Sequence, residues 1–331
     1  MLNLITDVPG LAVGHADDFR LLSGVTVVVP DQPAVASVSV LGGAPAGRDL
    51  GCLEPDAIVP TIDALVLSGG SGFGLDAASG VQAWLREQGR GFAVGAARVP
   101  IVPQAICFDL LNGGDKAWGR FPPYRDLGYA AAAAARSGGF SLGSVGGGLG
   151  ATTASLKGGL GSASAITRSG HTVGALAVVN ALGSATIGAG PHFWAGFLER
   201  DGEFGGHGLP QRISDAETAP VWKGQGRLAT TIAIVATDAT VTKAEAKRIA
   251  IAANDGLARA LRLTHAALDG DTVFVLSTGR RPLGRPHDDL IDLGITAADC
   301  LARAVARGVY EATDPGHGYS GPPAYRAKHP G

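Results

Sequence analysis

Glycine clusters set against short apolar runs constrain this chain more than any other feature. LSGGSGFG, GSVGGGLG and LKGGLGSAS each abut a stretch rich in Val, Leu or Ala. Fifty-one of the 331 residues are glycine, well above an average share of roughly 7%. They follow no collagen period, so they imply tight turns and close backbone approaches in a compact protein. Hydrophobic residues make up 46% of the chain, ample for a large core. The length is compatible with two domains, but α/β enzymes of this size often form one, and a single domain over 1–331 is expected.

Charge excludes several function classes. The formal net charge is -2, from 27 basic and 29 acidic residues, which gives no electrostatic reason for a nucleic-acid or anionic-membrane partner. Cys52, Cys107 and Cys300 are far apart, and an odd count without CxxC spacing argues against a disulfide framework and a zinc site. MLNLITDVPGLAVGH has no basic region followed by a long apolar run, unlike a signal peptide. The longest apolar stretch, YAAAAAA, is too short to span a bilayer. A soluble cytoplasmic protein is expected.

Strand and helix signals alternate. GVTVVVP, ASVSVL and IDALVLSGG are short, β-branched and bounded by Gly or Pro, as strands are. LDAASGVQAWLREQG reads as a helix ended by Gly89, with Val81, Trp84 and Leu85 on its apolar side. GYAAAAAARSGG predicts another helix, and FDLLNGGDKAWGRFPPYRDLG a long surface loop before it. Residues 143–164 are glycine-rich and lead into strand sequence in TVGALAVVNALGSATIG. Residues 197–227 lack periodicity, a length uncommon inside a domain unless mobile or functional. TIAIVATDA is a strand, and Thr242 with Glu245 forms a capping box for the helix that follows. Ile249, Ala252, Ala253, Gly256, Leu257, Ala260 and Leu261 line one face of that helix. Most are small, so it should lie very close to its neighbours. DTVFVLSTG predicts a strand and TAADCLARAVARGVYEA a last helix. The tail 313–331 is expected to be disordered.

Common motifs fail on context. GFSLG centres Ser141 in G-x-S-x-G, but a nucleophile elbow needs a strand before it and a helix after, and the order here is reversed. LSGGSGFG lacks dinucleotide spacing and the following acidic residue. ASLKGGLG is not a P-loop, because Lys157 has no Gly before it and no Ser or Thr after it. No cofactor is expected. The eight histidines show no paired ligand spacing, which leaves no metal motif and little support for a Ser-His-Asp triad; they are expected mostly on the surface or in loops.

Adjacent threonines at Thr230 and Thr231 offer another chemistry. An N-terminal threonine can use its own α-amino group as base for its hydroxyl, with an unperturbed pKa of about 7.7–8.0. The chain must first be cut immediately before it. The plain alternative is that threonine is a good strand former. Asp269 and Asp271 stand at the mouth of a strand, where residues two apart share a side; they form either a carboxylate pair or a polar Asp-Gly turn. Lys157 and Asn180 sit against apolar strand sequence, which is costly unless they are paired or face a pocket, though either could be an exposed strand-end residue.

Taken in order, ITDVPGLAVGH, GVTVVV, DALVLSGGSGFGLDAASGVQAWL, VPIVPQAICFDL, LKGGLGSAS, VVNALGS, TTIAIVATDA and LDGDTVFVLSTG resemble the P1 (S58) peptidase family. That family includes L-aminopeptidase D-Ala-esterase/amidases, β-aminopeptidases and nylon-oligomer hydrolases. The resemblance runs from about residue 4 to 312. It implies an α/β fold, an αββα four-layer sandwich of N-terminal-nucleophile type, in a precursor that cuts itself ahead of a Ser or Thr. Carried over, the cut falls between Ala229 and Thr230, giving chains 1–229 and 230–331 with Thr230 as nucleophile. Asp269 and Asp271 match the carboxylates of the nylon-oligomer hydrolases, and Lys157 and Asn180 the family's pocket lysine and asparagine. Asn180 would donate to the oxyanion. Ala229 departs from the usual Asn or Gly before the nucleophile, and alanine reaches φ > 0 less easily than glycine.

The resemblance implies an amide hydrolase acting on a small-molecule or short-peptide substrate, without metal or cofactor, in a homo-oligomer (a tetramer by family habit). Two alternatives remain. One is an acyltransferase of the ornithine acetyltransferase type, distinguished by transfer product with an added amine. The other is an uncleaved binding protein, which Thr230→Ala would leave unchanged.

Overall fold

A computed structural model of the chain describes residues 1–224, 229–316 and 318–330. In order come β1 Leu11–Asp18, β2 Ser23–Pro30, β3 Val35–Val40, β4 Gly47–Arg48, β5 Leu65–Ser68, α1 Ala77–Glu87, β6 Phe92–Val94, β7 Ala97–Val99, β8 Gln104–Ile106 and α2 Tyr124–Ala133. Then follow β9 Leu160–Ile166, β10 Thr172–Asn180, α3 Asp215–Thr218, β11 Thr230–Ala239, α4 Lys243–Ala260, β12 Thr272–Arg281, α5 Pro286–Tyr310 and α6 Tyr325–Lys328. Two five-stranded sheets have the orders β1-β2-β5-β8-β4 and β3-β12-β11-β10-β9, with β6-β7 a separate hairpin.

The pleat explains why the strands read as continuous apolar runs. Successive side chains alternate in direction, and here both directions are buried, so no polar face interrupts the pattern. In β2, Val25, Val27 and Val29 join the core under α1 and α2, while Val28 faces the other sheet. In β11, Ala233 and Val235 face α4 and α5, while Ile232, Ile234 and Ala236 point between the sheets. β10 and β12 repeat this, with Leu176, Val178, Phe274 and Leu276 between the sheets. Three apolar cores thus separate four layers, the αββα sandwich that the resemblance implies.

Small residues set the spacing of the helical layers. Thr242 Oγ1 caps α4 by accepting from Glu245 N–H, and the Glu245 side chain answers to the cap backbone, completing the expected capping box. A methyl group at Gly256 of α4 would stand 2.3 Å from Ala298 O of α5. One at Gly161 of β9 would stand 1.9 Å from Ala304 O of α5. Backbone meets backbone at both places, as the small face of α4 requires.

Four segments differ from expectation. α2 begins at Tyr124, ahead of the Ala-rich run, because Pro122 and Pro123 deliver the chain to a buried tyrosine. The loop before it is not simply surface: Asp109 and Asn112 are buried. α5 begins at Pro286, where Asp289 accepts from Gly284 N–H at 2.8 Å and Arg285 N–H at 3.0 Å. In the tail, expected to be disordered, the described residues 313–316 and 318–330 include packed ones. Tyr325 stacks on Phe193 with ring centroids 4.8 Å apart and donates to Pro191 O at 2.7 Å, while Ser320 N–H donates to Asn112 O at 3.0 Å. One buried aromatic outweighs the Gly, Pro and Lys around it. His317 and Gly331 of that tail, and residues 225–227 at the end of the aperiodic stretch, lie outside the described residues.

Gly161→Ala tests the helix–sheet spacing. Overpacking of this kind costs about 1–3 kcal/mol, so its thermal midpoint should fall by several degrees. Gly51→Ala, where a methyl group meets nothing within 4 Å, should leave the midpoint unchanged.

Candidate active site

Three strands of the second sheet bring the residues together. β10 ends at Asn180, β11 begins at Thr230, and these two are direct antiparallel partners. β12 runs parallel to β11 from Thr272, so the Asp269–Asp271 segment passes beside Ala229 and Thr230. Ala229 and Asp269 form an isolated parallel bridge.

The pleat separates the two threonines. Thr230 shares its face with Ile232 and Ile234, between the sheets, while Thr231 shares the helix-side face of Ala233 and Val235. Asn180, in phase with Leu176 and Val178, points the same way as Thr230. Of the two, only Thr230 therefore shares a face with Asn180. Its hydroxyl donates to Ala229 O at 2.5 Å, and the same oxygen accepts Gly270 N–H at 3.0 Å. A methyl group at Gly270 would stand 2.7 Å from Thr230 Oγ1, so only glycine lets the Asp269–Asp271 turn pass this close to the threonine. Ala229 is buried and is not among the residues with positive φ, so the uncut backbone places no demand there that alanine fails to meet.

Asp269 and Asp271 are both buried, and their charges act on each other. Their surroundings are unequal. Asp271 Oδ1 accepts Thr231 N–H at 2.9 Å, and its Oδ2 accepts His265 N–H at 2.8 Å with His265 Nδ1 2.9 Å away. Among the described residues, Asp269 accepts Gly270 N–H alone, at 3.1 Å. Burial pushes the Asp269 carboxyl well above the usual carboxylate range, and the charge of Asp271 pushes it further. The pair is thus suited to holding one proton. It supports the Thr231 amide directly; the Thr230 hydroxyl lies on its own upstream carbonyl instead.

Asn180 Oδ1 accepts Thr152 N–H at 3.0 Å and Lys223 Nζ at 2.9 Å, and Asn180 Nδ2 donates to Phe108 O at 2.9 Å. Lys157 stands apart from the threonine. Fully buried, it spends its ammonium on three backbone carbonyls, Gly148 at 3.2 Å, Ala151 at 2.8 Å and Gly158 at 2.9 Å. Burial pushes its pKa down to about 7. It pins the glycine-rich loop whose Thr152 amide holds Asn180. A cleft lined by Phe108, Asp109, Asn112, Gly150, Thr152 and Lys223 opens beside Asn180.

Sequence reasoning missed Lys223 and His265. Lys223 lies in the aperiodic stretch and carries no local signal. His265 precedes the Asp-Gly-Asp turn closely enough to have been a candidate, but it fits no ligand spacing. Among the described residues no group of His, Cys, Asp and Glu could hold a metal ion, and no helix is long and apolar enough to cross a membrane. All three cysteines are free, and Ser141 of GFSLG is exposed.

The model of peptidase family S58 matches residues 3–320. The chain belongs to peptidase family S58. An uncharacterised aminopeptidase of Mycobacterium tuberculosis is 44% identical to this S58 hydrolase, over 100% of this chain and 99% of the relative. A 6-aminohexanoate-oligomer endohydrolase of Kocuria sp. (strain KY2) is 26% identical over 90% of this chain and 84% of its own. Among solved structures, a Burkholderia sp. β-aminopeptidase superposes with a TM-score of 0.69 at 23% identity, covering 97% of this chain and 91% of that one. The L-aminopeptidase D-Ala-esterase/amidase of Ochrobactrum anthropi, whose structure is described as a variant of the Ntn hydrolase fold, gives 0.69 at 21% identity over 96% and 88%. These two likenesses establish the fold.

Two variants probe the site. The unfolded chain gives up the Asp269 proton in the usual carboxylate range, whereas the folded chain keeps it to higher pH. The unfolded state thus binds fewer protons there, and stability falls as pH rises. Asp269→Asn removes that loss, so its thermal midpoint should gain on the wild type progressively from about pH 4 upward. Gly270→Ala, by displacing Thr230 Oγ1, should lower amide hydrolysis by roughly 10²-fold, measured on the purified protein.

Proposed function

We propose that this S58 hydrolase cuts itself between Ala229 and Thr230 and then hydrolyses amides with Thr230 as an N-terminal nucleophile. The observation that carries the reading is the convergence on one peptide bond. The Thr230 hydroxyl lies against the Ala229 carbonyl, Gly270 N–H holds the same oxygen, and the Asp269–Asp271 pair packs alongside.

In the self-cleavage, Thr230 Oγ1 bonds to the Ala229 carbonyl carbon and charge develops on Ala229 O, where Gly270 N–H already points. The Ala229–Thr230 C–N bond breaks, the hydroxyl proton passes to the departing nitrogen, and an ester links Ala229 to Thr230. Water then hydrolyses that ester, giving the Ala229 carboxylate and a Thr230 with both hydroxyl and free amine.

The new amine is the base. Its unperturbed pKa of about 7.7–8.0 is close to neutral, where a general base is most useful. It takes the hydroxyl proton as Oγ1 attacks a substrate carbonyl and returns it to the leaving amine. Asn180 has one Nδ2 hydrogen on Phe108 O and offers the other to the oxyanion. Asp269 and Asp271 hold the amine, and Lys157 keeps the loop behind Asn180 in place. Water releases the acyl group. The aminopeptidase names among the relatives support substrates with a free amino end, short peptides or amino-acid amides, and the 6-aminohexanoate-oligomer endohydrolase names support ω-amino-acid oligomers.

Intact-mass analysis tests the first step. The wild type should separate into chains 1–229 and 230–331, Thr230→Ala should stay whole and inactive on a panel of α-, β- and ω-amino amides, and Thr230→Ser should still cut. A wild-type protein that stays whole while hydrolysing amides would exclude an N-terminal nucleophile.

A further inference from the structure

Upstream of the scissile bond, Lys223 is tied to the end of β10. Lys223 N–H donates to Leu182 O at 3.1 Å, and Lys223 Nζ donates to Asn180 O at 3.0 Å and Asn180 Oδ1 at 2.9 Å. Its neighbours Val221 and Trp222 are 51% and 59% exposed, yet Lys223 is 7% exposed. Lysine in a surface segment ordinarily keeps its ammonium in water, and burying a charge is costly unless hydrogen bonds replace that water. Here charge-assisted bonds to two oxygens of a single residue offset the cost.

That residue is Asn180, directly across the ladder from Thr230. A side-chain amide can present either its oxygen or its nitrogen to a given neighbour. Thr152 N–H and the Lys223 ammonium are both donors, so between them they admit only the oxygen. Turning the amide over would set NH₂ against an ammonium and an N–H. The orientation with Nδ2 on Phe108 O, and its second hydrogen unspent, is therefore selected by Lys223 and Thr152 together. Lys223 and Asn180 both lie on the N-terminal side of the cut, so their contact fixes the upstream chain to the end of β10, whose last residue pairs with Thr230.

We propose that Lys223 is a positioning residue for self-cleavage: its ammonium sets the Asn180 amide and anchors the upstream segment, presenting the Ala229–Thr230 peptide to the Thr230 hydroxyl. The proposal rests on the reading of Thr230 as nucleophile. The reaction it assists is the acyl shift and ester hydrolysis given above, and Lys223 itself exchanges no proton or bond in it.

The test follows scission of the full chain by intact mass during cell-free synthesis. Lys223→Met should slow the appearance of chains 1–229 and 230–331 at least ten-fold, while Lys223→Arg, which still offers N–H donors to both oxygens, should restore most of the rate. Because part of the Lys223 contact is already gone in Asn180→Ala, Lys223→Met combined with Asn180→Ala should lose less than the product of the two single losses. Scission of Lys223→Met at the wild-type rate overturns the proposal. So does failure of the Arg variant to rescue, or a double variant whose losses simply multiply. Thr230→Ala separates this from the parent reading: if that variant is cut as fast as the wild type, the nucleophile assignment fails. If it stays whole while Lys223→Met cuts normally, only the role of Lys223 does.

Discussion

β10 and β11 pair without a bulge from Val173 opposite Thr237 to Asn180 opposite Thr230, and the site depends on that unbroken register. A slip of one residue would turn every side chain of β11 to the other face. Ile232 and Ile234 would leave the inter-sheet core, and Thr231 would replace Thr230 on the face of Asn180. The apolar packing on both faces therefore fixes which threonine lies beside Asn180. The parallel pairing of β11 with β12 then carries the Asp269–Asp271 segment alongside, and glycine at position 270 lets it approach.

Charge is arranged around this strand end so that each buried ion has partners. Lys157 is spent on three carbonyls and Lys223 on the two oxygens of Asn180. Asp271 gathers the amides of Thr231 and His265. The group left with the fewest donors is Asp269, and it is the one whose carboxyl rises, first through burial and then through its neighbour's charge. Unequal environments within a close pair are what separate a proton holder from an anion.

Much of the site was legible before the fold. Asn180, Thr230, Asp269 and Asp271 were each named from strand ends or turns, and those are the positions where β10 stops and β11 and β12 start. Their individual signals were weak because a threonine at a strand start and an Asp-Gly turn are ordinary local choices. The ordered resemblance joined them. Lys157 was also named, but its direction was not: only the loop's path shows that its donors meet carbonyls of its own loop. Lys223 had no signal, since a lysine beside Val221 and Trp222 in an aperiodic stretch reads as a solvated residue. The tail was misread for a similar reason, because composition does not reveal that Tyr325 has Phe193 to stack on.

The sequence by itself determined the main strands and helices, while the layering came only with the ordered family resemblance. Apolar runs bounded by glycine make strands covered on both faces, a capping box starts α4, and small residues on its buried face force close packing against α5. These are local or periodic properties, and they survive without knowledge of what lies across the sheet. Tertiary structure alone decided which threonine lies beside Asn180, how the two aspartates differ, and where the ammonium of Lys223 comes to rest. Each of those depends on partners far away in the chain, brought within hydrogen-bond range only when the strands take their register.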